Sequence, residues 1–342
     1  MALVPRTKVL LVAMTACVAW GLLCAAGTSA DEPPAQGVRD SALFGTVVTR
    51  LRAGESYYPV FGQELEARGY ATASVFNWRL PTLAVFQASL PSLRASSTIL
   101  TTIGVGTIAL WCWALRAGGL GRAALAIPLL LTMIPAWRSE SVGLIHDVWA
   151  GQLIALSLAL WASGFLSLSV ASGYAAASIR ELAVPYLIVM AGLAFWESRP
   201  REGRAWLVAI GAFLVLFGWH ALRVLPAIPA HPLGNTWLSF GGWCFVLRAA
   251  RANLALTLAP TWVNALVVPV AWIGLWMWNT PVGRRLTATV TLYIVSFVII
   301  GRPDNWYWGF LVAPLLPLGA FGWLPSLRPG AVAAIRARPT AE

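Results

Sequence analysis

Five short stretches of this chain concentrate the groups that can take a proton, clamp an anion or stack on a ring. Asp40 and Glu55 lie in a long polar stretch, DSALFGTVVTRLRAGESYYPVFGQELEARGYATASVFNWRLP, which runs from Asp40 to Pro81 and also carries Glu64 and Glu66. Near its end stand Asn77, Trp78 and Arg79. His146, Asp147 and Gln152 fall together in HDVWAGQ, Arg180 and Glu181 are adjacent, and Arg302, Asp304, Asn305 and Trp306 belong to RPDNWYWG. A positioned carboxylate works as a general base. An arginine fork matches the oxygens of a phosphate better than a lysine does. The combination therefore suits proton abstraction beside an anionic group.

The elements that must position these residues are membrane helices. The 342 residues are 58% hydrophobic and only 11% charged, with mean hydropathy +0.72, where soluble domains carry about 25% charge. Continuous apolar runs rather than alternating ones predict an all-α polytopic membrane protein and argue against a β-barrel. Ten spans are expected, near residues 8–28, 97–115, 122–137, 148–163, 165–179, 182–197, 204–222, 259–278, 286–301 and 307–325. Residues 148–179 are too long for one simple crossing at about 1.5 Å per residue, and Gly164 offers a break. The organisation expected is a signal anchor or first span at 1–29, an extracytoplasmic loop at 30–96, a helical transmembrane domain at 97–327 and a cytoplasmic tail at 328–342. Thr28-Ser29-Ala30 before Asp31 also allows a cleaved signal peptide; either way Asp31 onward is expected outside the cytoplasm.

Charge placement orients this arrangement. Arg6, Lys8, Arg116, Arg122, Arg199, Arg201, Arg204, Arg284, Arg285 and the tail arginines fall on the cytoplasmic side, as the positive-inside rule asks. Of the acids, only Glu197, Glu202 and Glu342 fall there. The rest sit on the outer face with all five stretches. The net charge of +11 does not indicate nucleic acid, because the arginines are scattered singly between spans. Cys17, Cys24, Cys112 and Cys244 show no metal or disulfide spacing and read as small core residues. No internal repeat of the kind many transporters show is evident.

Two outer segments read as helices lying on the membrane. In Asp40–Leu51 the residues Leu43, Phe44, Val47, Val48 and Leu51 recur at helical spacing. Trp237–Leu258 mixes Trp, Phe and Leu with Arg248 and Arg251. Most of the nineteen Trp are expected at the interface, with a few free to stack on a sugar ring.

The order of these parts resembles the GT-C superfamily of integral-membrane glycosyltransferases, the class that uses polyprenyl-phosphate-linked sugars, as mannosyltransferases and aminoarabinose transferases do. The resemblance rests on a first span, Asp40 followed by Leu-Phe, the run Arg-Ala-Gly-Glu-Ser-Tyr-Tyr, and Arg79-Leu80-Pro81 before the second span. It covers the topology of most of the chain, through short motifs, and assigns no subfamily. It implies a bacterial inner-membrane enzyme with a periplasmic site. A sugar would pass from a polyprenyl-phosphate donor to a glycan or glycolipid acceptor, with membrane lipids as surroundings. It further implies Asp40 as base, with Glu55 its rival, because the family places a carboxylate soon after its first span.

Each residue also has a plainer reading. Asp40 also reads as the N-cap of its helix. Arg180, the first choice for the donor phosphate ahead of Arg302 and Arg79, is equally suited to a packing ion pair with Glu181. His146 and Asp147 suit a phosphate, a divalent cation such as Mg or Mn, or ordinary loop polarity. Asp304, Asn305, Trp306, Asp147, Gln152 and His220 are the candidates for sugar or acceptor contacts. Two other functions stay open: a transporter or lipid flippase, and a non-catalytic scaffold of a glycan-assembly complex.

Overall fold

A computed structural model describes residues 5–27, 36–116, 127, 130–234 and 239–323 of the chain. All regular structure among these residues is helical. In chain order the α-helices are α1 (Pro5–Gly27), α2 (Gln36–Arg52), α3 (Tyr57–Ala67), α4 (Thr82–Ser89), α5 (Leu93–Leu115), α6 (Ile134–Arg138), α7 (His146–Ala162), α8 (Leu166–Ile179), α9 (Val184–Trp196), α10 (Pro200–Val224), α11 (Gly242–Ala250), α12 (Leu254–Leu258), α13 (Thr261–Met277) and α14 (Pro281–Ile300). Short 3₁₀ segments punctuate them.

Among the described residues, four helices are long and apolar enough to cross a membrane: Val9–Ala26, Leu93–Leu115, Pro200–Ala227 and Pro281–Ile300. They give the chain the character of an α-helical membrane protein. The apolar helices at Leu166–Ile179, Glu181–Trp196 and Thr261–Met277 are shorter; the 14 residues of α8 extend about 21 Å against a hydrocarbon core of about 30 Å. Of the expected span at 122–137, residues 122–126, 128 and 129 lie outside the described residues, and the rest holds the short helix α6; the tail at 328–342 lies outside them too.

Local chemistry sets the element ends. Ser92 caps α5 by accepting from the Ala95 amide at 3.1 Å. Thr280 caps α14 through the Gly283 amide at 3.1 Å, with Pro281 at the first helical position, where its missing N–H costs nothing. The break at Gly164 is real: its φ of +90° is open to glycine and strained for other residues. It folds α7 and α8 into an antiparallel pair. Ser157 Oγ donates to the Ser169 carbonyl at 2.6 Å, and Ser169 Oγ donates to the Ser157 carbonyl at 2.7 Å.

The expected span at 307–325 is corrected. The chain there forms 3₁₀ segments, Pro303–Leu311 and Leu316–Trp323. Pro314 and Pro317 lack the amide that an α-helix needs. Tyr307, Trp308, Phe310, Leu311, Leu315 and Leu318 are buried. Irregular backbone is tolerated at membrane depth when protein encloses it, and the segment runs enclosed between α7, α11 and α13.

The two proposed interfacial helices are corrected as well. Leu43, Phe44, Val47 and Val48 of α2 are buried against Tyr57, Val60, Phe61 and Leu65 of α3 and against Trp78. An apolar stripe does not say whether lipid or another helix will cover it, and here α3 supplies the matching face. Asp40 lies inside α2, not at its N-cap, because the helix begins at Gln36. Of the stretch Trp237–Leu258, the described residues from 239 on include α11 and α12, with Trp243, Phe245, Val246 and Leu247 buried in the main core.

One cysteine reading also fails. Cys24 of α1 and Cys244 of α11 form a disulfide; Cys17 and Cys112 are free thiols. The partners are 220 residues apart in sequence, which is why local spacing gave no sign of them.

At the end of the bundle away from Asp40, Arg285 is fully buried between Glu197, at 2.8 Å, and Glu202, at 2.9 Å. Its guanidinium lies 3.7 Å from the centre of the Trp161 ring. Trp161 Nε1 donates to Glu202 at 2.8 Å. This cluster ties the C-terminal end of α7 to the α9–α10 turn and the start of α14.

Replacing Cys24 and Cys244 by serine should free α1 from α11, at a cost of about 2–4 kcal/mol. The check is thiol labelling of the denatured protein with and without reductant, beside a melting curve. Two labelled thiols without reductant and four with it are expected, with a lower melting temperature for the double variant.

Candidate functional site

A polar cavity of about 100 Å³ opens at the end of the bundle covered by α2 and α3; its walls include Asp40, Tyr70, Asn77, Arg79, Arg180, Arg302, Asn305, Tyr307 and Trp308. Four separate stretches of sequence meet in it. Each is positioned by a different device.

Asp40 is brought by α2, which is fixed to α3 from both sides. The buried Leu43–Val48 stripe packs on α3. On the outer side Arg50 donates to Glu55 (2.5 Å), Gln63 (2.8 Å) and Glu64 (3.1 Å). The Asp40 carboxylate is 5% exposed. It accepts a hydrogen bond of 2.6 Å from the Tyr70 hydroxyl. Burial raises its pKa; the Tyr70 hydrogen bond, the Arg79 charge and Tyr307 oppose that rise, and Asp147 adds to it. The Tyr70 hydroxyl is itself pushed up, by burial and then by the Asp40 carboxylate it serves. A carboxylate with a raised pKa, held on one oxygen, has what a general base needs.

Arg79 arrives on the turn before α4. Tyr57 donates to its carbonyl at 2.7 Å, and the buried Trp78 donates to the Thr72 carbonyl at 3.2 Å. The loop after α10 closes over this turn: Thr72 donates its amide to the Leu233 carbonyl at 2.9 Å, and Leu233 returns an amide to Thr72 Oγ1 at 3.1 Å. The guanidinium of Arg79 is loosely engaged, 3.3 Å from the Phe76 carbonyl and 3.9 Å from Glu181.

Arg180 lies between α8 and α9 and is 1% exposed. Nε donates to Asp147 at 3.0 Å, and Nη1 pairs with Glu181. Two carboxylates therefore already engage it. Burial disfavours its charge, but Asp147 and Glu181 more than offset this and raise its pKa. Arg302, at the end of α14, is 3.6 Å from Asp304 and lines the cavity with Asn305. Tyr307 donates to Asn305 Oδ1 at 3.3 Å. Gly309 lets this segment lie directly on α11, since a Cβ there would overlap the Ala249 carbonyl.

Several expected site residues lie elsewhere. Glu55 is 43% exposed and held by Arg50 at the α2–α3 turn, and Arg50 lowers its pKa. It is a clasp outside the cavity, not a rival base. Asp304 pairs with Arg302 from the exposed side. Trp306 packs on Phe310 with ring centres 6.0 Å apart. Gln152 lies deeper in α7 and donates to Thr107 at 2.8 Å. His220 is fully buried, 3.1 Å from the Tyr58 hydroxyl and 3.2 Å from the Trp78 carbonyl; it fastens α10 to the outer layer and does not face the cavity. His146 sits behind Phe44, 4.6 Å between ring centres, and neither nitrogen has a partner among the described residues. Asp147 is committed to Arg180. The His146–Asp147 pair therefore does not fit a divalent cation, and no group of three His, Cys, Asp or Glu side chains among the described residues could hold a metal.

Sequence reading missed Tyr70 as a cavity residue, while Tyr307 and Trp308 belong to the RPDNWYWG stretch it singled out. Nothing in local spacing links residue 70 to residue 40. The run Trp-Tyr-Trp after Asn305 was a visible aromatic signal; of its members Tyr307 and Trp308 line the cavity, while Trp306 packs on Phe310.

The two arginine roles can be separated. Arg180→Ala strips two buried carboxylates of their partner and should cost about 3–5 kcal/mol. Arg302→Ala breaks a partly exposed pair and should cost under about 1 kcal/mol. Melting in detergent checks this; a loss under about 1 kcal/mol for Arg180→Ala would show that Arg180 is not structural.

Comparison of the chain with protein-family models, with curated proteins and with solved structures returns no match. The functional reading rests on the geometry above.

Proposed function

We propose that the protein is a GT-C-like glycosyltransferase that moves a sugar from a polyprenyl-phosphate carrier to a glycan or glycolipid acceptor on the extracytoplasmic side of a bacterial inner membrane. The observation that carries this reading is a buried carboxylate, Asp40, sharing one small polar cavity with Arg79, Arg180 and Arg302. A proton acceptor beside guanidiniums is the pairing that displacement of a phosphate requires.

In this reading an acceptor hydroxyl gives its proton to Asp40. Its oxygen forms the new bond to the anomeric carbon as the bond from that carbon to the phosphate oxygen breaks. The electron pair leaves with the lipid phosphate, through an oxocarbenium-like transition state. Arg79 and Arg302 take the leaving charge, since Arg180 is already engaged by Asp147 and Glu181. This reverses the ranking suggested by sequence.

A lipid-linked donor also suits a second hollow of about 220 Å³, almost wholly apolar, lined by residues that include Leu266, Val267, Val270, Leu316, Pro317 and Trp323. The segment that lines the polar cavity with Tyr307 and Trp308 goes on to line this hollow between Ala313 and Trp323. A donor with a charged head and a hydrocarbon tail requires both chemistries.

Turnover is tested with purified protein in nanodiscs and a panel of polyprenyl-phosphate sugars, by release of free lipid phosphate. Asp40→Asn, folded by melting, should lose about 10²-fold or more, the scale of a lost general base; full activity in that variant would remove Asp40 from the mechanism. Tyr70→Phe deletes a hydrogen bond that favours the charged form of Asp40. The Asp40 pKa should rise further, so the acid limb of the rate–pH profile should move to higher pH while the high-pH rate changes little. A limb that stays in place would show that Tyr70 does not act on Asp40.

A further inference from the structure

Two side chains in the wall of the polar cavity have hydrogen-bonding capacity that the described residues do not use. Asn77 Oδ1 is buried and has no partner, and neither has the indole N–H of Trp308. Other buried indoles also lack a partner, among them those of Trp111, Trp137 and Trp206, but none of these lines the cavity. Burying an unpartnered polar atom costs about 1–3 kcal/mol; both residues line the cavity, so a ligand there that reaches them would relieve that cost.

The chemistry of the two orphans narrows what that is. A side-chain amide oxygen only accepts, and an indole N–H only donates. A fully ionised phosphate has no hydrogen to give Asn77 and therefore leaves it unsatisfied. An ammonium group has nothing to accept from Trp308. A hydroxyl both donates and accepts, and a ring carrying several hydroxyls can meet both orphans at once. Arg79 and Arg302 line the same cavity, so the ligand also carries negative charge. The cavity of about 100 Å³ has room for several waters at about 10–15 Å³ each, the scale of one sugar ring.

We infer that Asn77 and Trp308 form a hydroxyl-recognising subsite that holds the sugar of a sugar phosphate while Arg79 and Arg302 hold its phosphate. The inference rests on the proposed transferase reading, and it names which residues sense the sugar rather than the charge. Asn77 stands at the end of the 3₁₀ turn Val75–Asn77, fixed by the Ser74 side chain accepting from the Phe76 amide at 3.3 Å. Trp308 is fixed by Phe245 and Phe297, with ring centres 6.4 Å and 6.5 Å away. Both are therefore presented on rigid backing, as discrimination between sugars requires. A site built to bond a hydroxyl rejects analogues that lack it strongly, because its own buried groups are then left unpaired.

The test uses the full-length protein in nanodiscs and equilibrium binding by isothermal titration calorimetry. The probes are glucose, galactose and mannose 1-phosphates, with inorganic phosphate as the charge-only reference. At least one hexose 1-phosphate should bind about tenfold or more tightly than phosphate, the effect of one to two well-made hydrogen bonds. Asn77→Leu, and separately Trp308→Phe, which keeps the ring and removes the N–H, should each erase most of that advantage. Affinity for inorganic phosphate should stay within about twofold in both. The two variants are independent, so a folding failure in one leaves the other decisive. Hexose phosphates binding no better than phosphate to the unaltered protein would overturn the subsite and leave the anion site standing. So would variants that lose both probes equally. No binding of phosphate or of any hexose 1-phosphate would overturn the subsite and the anion site together.

Discussion

Arg180 is a guanidinium with almost no access to solvent, and the outer end of the bundle is arranged around it. A charge in that position is tolerated only when carboxylates replace the water it has lost. Asp147 from α7 and Glu181 from the α8–α9 junction do so. Because those carboxylates come from different elements, holding Arg180 fixes the end of the α7–α8 pair and the start of α9. Glu181 in turn stands 3.9 Å from Arg79, on the turn that α2, α3 and the Leu233 loop hold down. The polar cavity is the space left beside this cluster. Its shape follows from where a buried charge can be neutralised.

The same logic operates at the other end, where Arg285, Glu197, Glu202 and Trp161 join α7, the α9–α10 turn and α14. The helices are thus bound by charge at both ends and by apolar packing between. The two clusters differ in one respect that matters for chemistry. At the Arg285 end Glu197 and Glu202 converge on the guanidinium. At the Arg180 end Arg79 is only loosely engaged, and Asp40 is buried with a raised pKa.

How much of this was legible in the sequence depended on how local the cause was. Apolar runs marked most helices, and Gly164 marked the α7–α8 turn, because each acts within a few residues. The stripe on α2 was also visible, but its cover was not: lipid and α3 impose the same pattern. The broken segment after Arg302 was signalled by Pro314 and Pro317 and was overridden by its hydropathy. Asp40, Arg79, Arg180 and Arg302 were each identifiable as charges in an apolar chain. Their division into a structural arginine and looser ones was not, since it depends on which carboxylates the fold delivers to which guanidinium. Glu55 and His220 show the converse. Both are of catalytic type, and tertiary packing spends one on a surface clasp and the other on fastening α10. The Cys24–Cys244 bond and the Tyr70–Asp40 contact link residues distant in sequence, and no spacing rule reaches that far.

The central claim is that one cavity, bounded by Asp40, Arg79 and Arg302, receives the phosphate of a lipid-linked sugar. The most direct measurement is photolabelling of the protein in nanodiscs with a polyprenyl phosphate that carries its photoreactive group beside the phosphate, followed by mapping of the labelled peptides. The account predicts label within residues 40–44, 70–79 and 302–308, competed away by unlabelled polyprenyl phosphate. Saturable label at the Arg285 end, with none in those three stretches, would contradict it.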